Sequence, residues 1–77
     1  MANLRVYPNP MRDFVNVQCA FEVKTIEVYD VYGKLFNTMN VMGDQTRVNV
    51  SELPAGVYVL CVTDADGHEY HQKIIKQ

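Results

Sequence analysis

PAGVYVLCV, residues 54–62, is the longest apolar run in a chain of 77 residues. A strand in a small antiparallel protein usually alternates, apolar toward the core and polar toward water. In this one, Tyr58, Leu60 and Val62 share one side, and Val57, Val59 and Cys61 share the other. Burial stabilises by about 25 cal/mol per Å² of apolar surface, so the larger Tyr58/Leu60/Val62 set is expected to face the core. The other face must then be covered by a loop or terminus, or be read by a partner. The Pro-x-Gly lead-in fits a loop feeding a strand.

Outward from this run the chain reads as β throughout. LRVY (4–7) sets Leu4 and Val6 against Arg5 and Tyr7. Pro8 and Pro10 end that strand, since proline supplies no amide to a ladder and favours turns. FVNVQC (14–19) alternates Val15, Val17 and Cys19 against Asn16 and Gln18, and TIEVYD (25–30) sets Ile26 and Val28 against Glu27 and Tyr29. DVYGK (30–34) supplies a turn in which Gly33 takes a positive φ. LFNTMNV (35–41) is a weaker strand, poor in helix formers at Asn37, Thr38 and Asn40. MGDQ (42–45) reads as a turn, and TRVNV (46–50) as a strand with Val48 and Val50 on one face. SELPAG (51–56) reads as a loop with one helical turn opened by Ser51. DADG (64–67) is an Asp-Gly hairpin turn, and EYHQKIIK (69–76) is the last strand. Seven short strands with turn signals about every 8–12 residues predict an all-β, Ig-like antiparallel β-sandwich. No repeat or linker marks a second domain, so residues 1–77 read as one.

A formal charge of −2, with no basic stretch, argues against a nucleic-acid partner. No run approaches the roughly 20 apolar residues of a membrane-spanning helix. Met1 to Asn3 lack the features of a signal peptide. Because LRVY follows at once, these three residues read as an added start, and the natural chain is expected to continue upstream.

Candidate chemistry is sparse. His68 and His71 are three apart, which on a strand sends them to opposite faces. They cannot share an ion without distortion, so no metal or cofactor is expected. DADGHE (64–69) lacks the later acidic ligands of an EF-hand calcium loop. Ser51, Cys19 and Cys61 are the available nucleophiles, but no base-orienting set or glycine elbow accompanies them. An enzyme is not expected. Lys73 and Lys76 fall on opposite faces; lysines on an edge strand discourage pairing with other chains. Strand parity places Cys19 toward the core and Cys61 away from it, so the two are not expected to form a disulfide.

Four pieces occur in order: VYPNP (6–10), IEVYDVYGKLF (26–36), LPAGVYVL (53–60) and DGHEYHQKIIK (66–76). Together they resemble the type IX secretion system (Por secretion system) C-terminal sorting domain, type A. The resemblance implies an Ig-like, non-catalytic domain at the C-terminus of a larger secreted protein. Such domains direct a folded cargo from the periplasm across the outer membrane through a translocon. A surface sortase then removes the domain, and the cargo is anchored or released at the cell surface. By the same resemblance, the partner-recognition elements fall on Pro54, Gly56, Tyr58, Val59, Gly67, Lys73, Ile74, Ile75 and Lys76, with Pro8, Pro10 and Gly33 as structural turns. The cleavage point would precede Leu4. Cys19 and Cys61 are not part of the family pattern.

The alternative is an adhesive or carbohydrate-binding Ig-like module, for which Tyr7, Tyr29, Tyr32 and Tyr70 would have to form an aromatic platform. An open sandwich also leaves strand edges, so a weak or strand-swapped homodimer is a further expectation.

Overall fold

The computed structural model describes residues 4–40 and 45–77. Their strands are β1 (Leu4–Tyr7), β2 (Phe14–Cys19), β3 (Val23–Asp30), β4 (Leu35–Asn40), β5 (Gln45–Asn49), β6 (Gly56–Asp64) and β7 (Glu69–Lys76). They form two antiparallel sheets, ordered β1-β2-β5 and β4-β3-β6-β7. This is the expected Ig-like sandwich. The turn expected at residues 42–45 lies outside the described residues, except that Gln45 opens β5.

The core is built by alternation. Val15 and Val17 of β2 and Val48 of β5 meet Ile26 and Val28 of β3, Tyr58, Leu60 and Val62 of β6, and Ile74 of β7. One departure has a visible cause. Val23 and Ile26 are both buried although three apart, which strict alternation forbids. The pairing of β3 with β6 shifts register between Val23 and Thr25, and this bulge restores Val23 to the core face.

Two hairpin turns share one design. In the first, the Asp30 amide donates to the Lys34 carbonyl (2.9 Å) and the Gly33 amide to the Asp30 carbonyl (3.1 Å). Asp30 Oδ1 accepts the amides of Tyr32 (2.9 Å) and Lys34 (2.8 Å). In the second, Asp64, Asp66, Gly67 and His68 make the same four bonds. Gly33 and Gly67 take φ of 86° and 90°, and no non-glycine residue among those described has a positive φ. The second turn is therefore a three-residue loop closed by a left-handed glycine, not the two-residue Asp-Gly form, which needs positive φ at both central residues.

Two further expectations are corrected. Residues 51–55 form turns and no helix. The capping group there is Asn49, whose Oδ1 accepts both the Ser51 amide (2.9 Å) and its hydroxyl (2.7 Å). The edge of β7 is also shielded differently from the lysine reading. The segment after Pro8 crosses to the four-stranded sheet: Met11 N donates to Ile75 O (2.7 Å), and Gln77 N to Met11 O (2.9 Å). Asn9 Oδ1 accepts the Ile75 amide at 2.9 Å. Backbone pairing thus covers the C-terminal half of this edge. Lys76 lies nearly buried on the inner face, its Nζ donating to the Gln77 carbonyl.

Candidate functional site

The β6–β7 hairpin carries most of the residues singled out in the sequence. Ile75 spends its amide and carbonyl on Asn9 and Met11, away from β6. The regular register then makes Val57↔Ile75, Val59↔Lys73, Cys61↔His71 and Thr63↔Glu69 non-hydrogen-bonded pairs, in which side chains approach most closely. All eight belong to the outer face of the four-stranded sheet. β3 adds Glu27 beside Cys61 and Tyr29 beside Val59, and β4 adds Leu35 beside Tyr29.

The resemblance-derived residues split by position. Tyr58 and Ile74, paired across the hairpin, are buried in the core. The Tyr58 hydroxyl donates to the Pro54 carbonyl (2.6 Å), a tyrosine-corner arrangement that closes the loop feeding β6. Pro54 is exposed in that loop and Gly56 at the first position of β6, and Gly67 sits in the turn at the opposite end of the hairpin. Lys76 points inward. Val59, Lys73 and Ile75 share the outer face, where Val57 (37% exposed) and Ile75 (42%) form an accessible apolar pair. The structure therefore brings Val59, Lys73 and Ile75 together and leaves Tyr58, Ile74 and Lys76 as fold residues. Val57 and Leu35, also exposed on this face, are absent from the resemblance-derived set; unsheltered apolar parity in the sequence was the signal for Val57.

Cys61 behaves differently from Val57. It is only 4% exposed, yet it stands apart from the inter-sheet core. Burial pushes its thiol pKa up, and the carboxylates of Glu69 and Glu27 push it further, so it is a poor nucleophile at neutral pH. Cys19 lies in the core, its thiol donating to the Phe21 carbonyl (3.4 Å), and neither cysteine is in a disulfide.

The histidines part company. His68 sits in the turn with Nδ1 3.3 Å from Asp64 Oδ2, while His71 stands beside Cys61. Donor atoms of Cys61, Glu69 and His71 lie within 4.8 Å of one another, as do those of Asp64, Asp66 and His68. In the second group Asp64 is already committed. It accepts two backbone amides and the Tyr70 hydroxyl. Burial pushes the Asp64 carboxyl up, but those hydrogen bonds outweigh it and the net direction is down.

The four tyrosines do not make one platform. Tyr7 lies in the three-stranded sheet under Arg5, Tyr29 on the outer face, and Tyr32 in the first turn. Tyr70 stacks on Phe21 at 4.5 Å. Two shallow depressions of about 310 and 260 Å³ are lined by Phe36, Asn49, Val50, Glu52 and Leu53, and by Pro8, Pro10, Arg12, Asp13 and Phe14. Neither set contains a nucleophile–base pair.

Comparison with known proteins agrees with this anatomy. The model of the secretion system C-terminal sorting domain matches residues 5–77. An endo-acting ulvan lyase of Formosa agariphila is 32% identical over 96% of this chain, and beta-agarase D of Zobellia galactanivorans 36% identical over 94%. The chain spans only 15% and 14% of those two enzymes, so the shared region is a small part of each. Among solved structures, PorZ, a surface component of the type IX secretion system of Porphyromonas gingivalis, matches 96% of the chain with TM-score 0.73 at 21% identity, over 11% of its own length. CopC of Methylosinus trichosporium matches 99% with TM-score 0.53 at 24% identity, over 82% of its own. Both show the fold alone. Because the family match enters all seven strands and both Asp-x-x-Gly turns, the chain belongs to the type IX secretion system C-terminal sorting domain family.

Proposed function

We propose that this domain is the non-catalytic address of a larger cargo protein, directing it across the outer membrane by the type IX secretion system to the cell surface. The family match over residues 5–77 carries this reading. On this reading the translocon and the sortase meet the domain at the outer face of the β6–β7 hairpin, where Val59, Lys73 and Ile75 stand beside Val57. The accessible apolar pair Val57/Ile75 beside a lysine supports that choice, since Tyr58, Ile74 and Lys76 are turned into the fold. A sortase then removes the domain upstream of Leu4.

The test is a reporter fused ahead of Leu4 in a host with type IX machinery. The reporter is expected at the cell surface, and the double substitution Lys73→Glu/Ile75→Asp is expected to strand it in the periplasm. Deleting residues 73–77 is a poorer probe, because it also removes fully buried Ile74 and dismantles β7. Circular dichroism of the double variant separates lost recognition from lost fold. Reporter export that continues without the domain would sink the proposal.

A further inference from the structure

We propose that Cys61, His71 and Glu69 form a binding site for one divalent transition-metal ion of the zinc class on the outer face of the four-stranded sheet. Donor atoms of these three side chains lie within 4.8 Å of one another. Around a tetrahedral zinc ion, sulfur sits at about 2.3 Å and nitrogen and oxygen at about 2.0–2.2 Å, which places donors roughly 3–4 Å apart. The remaining gap is closed by small rotations of His71 and Glu69, both exposed and free of the core.

The backbone supplies the convergence. Cys61 and His71 are a non-hydrogen-bonded cross-strand pair, the closer of the two antiparallel types. Glu69 is two residues from His71 on the same strand and so shares its face. The thiol itself is buried, which leaves the two exposed ligands over it on the solvent side.

The surroundings favour a cation. Facing the thiol are Glu27 and Tyr29 from β3 and Glu69 and His71 from β7, with Lys73 one pair further along. Glu27 is not among the three side chains whose donor atoms converge, so it contributes charge to the surroundings of the thiol. Two carboxylates beside a sulfur disfavour the bare thiolate, and a divalent ion reverses that balance. A sulfur, a nitrogen and one oxygen are the donors of zinc-class ions; calcium and magnesium require oxygen shells. Three protein ligands leave the fourth position to water. Binding displaces the thiol proton onto solvent, so affinity rises with pH.

The experiment titrates the reduced, metal-free chain with Co²⁺ alone, then displaces it with Zn²⁺. One equivalent of Co²⁺ is expected to bind with a thiolate-to-metal charge-transfer band in the near ultraviolet, and Zn²⁺ is expected to abolish that band and raise Tm. Cys61→Ser should remove the band. His71→Ala and Glu69→Gln, both at exposed positions, should each weaken binding by more than the roughly 10–100-fold typical of a supporting residue. Absence of the band in the unmodified chain, its survival in Cys61→Ser, or unchanged affinity in either of the other variants would overturn the site.

Discussion

At the scale of single residues, two aspartates do the same local work. Asp30 and Asp64 each organise a hairpin turn by accepting two backbone amides, and Asp64 takes the Tyr70 hydroxyl as well. Desolvation opposes the Asp64 charge, and the hydrogen bonds prevail, leaving its pKa below the ordinary value. Above about pH 3.9 the unfolded-state carboxylate is also ionised, and the native hydrogen bonds then contribute their full stability. That contribution declines as pH falls through the depressed native pKa, where the native carboxyl also takes up its proton. Asp64→Asn keeps an acceptor for the amides but carries no charge. Urea titrations across the acid range are expected to show lower stability at neutral pH and a flatter acid limb than for the parent chain.

At the scale of elements, β7 departs most from what its sequence suggests, which is an edge protected by lysines. In the fold it pairs with β6 on one side and with the Asn9–Met11 segment on the other, so the opening YPNP motif and the closing KIIK motif are one structural unit. Two adjacent isoleucines report the difference between its faces. Ile74 is fully buried and Ile75 is 42% exposed. Ile74→Ala is expected to cost about 2–5 kcal/mol. Ile75→Ala should stay within about 0.5 kcal/mol, as is usual for surface positions. Chemical denaturation measures both. Equal losses would mean that β7 is not seated as described.

At the scale of the whole molecule, Cys19 and Cys61 lie on opposite sides of the four-stranded sheet, one between the sheets and one on the outer surface. Mild oxidation is expected to leave both thiols free, as mass measurement after alkylation in denaturant would show; an intramolecular bridge would contradict the layer assignment. This separation is legible in the amino-acid sequence, because period-2 parity assigns a face to each residue of a strand without a bulge, as β2 and β6 are at Cys19 and Cys61. Alternation and turn chemistry likewise specify the seven strands, the sandwich, and Tyr58, Leu60 and Val62 as the inward side of PAGVYVLCV. These are local properties, carried by neighbours along the chain. The outward side divides in a way that parity does not foresee: Val57 stays exposed, while Cys61 is sheltered by side chains from β3 and β7. Which edge Asn9 and Met11 would cover, and that Cys61 would meet His71 and Glu69, depended on the register between strands. Register is set by which long-range pairings bury the most surface, so only the tertiary structure decided it.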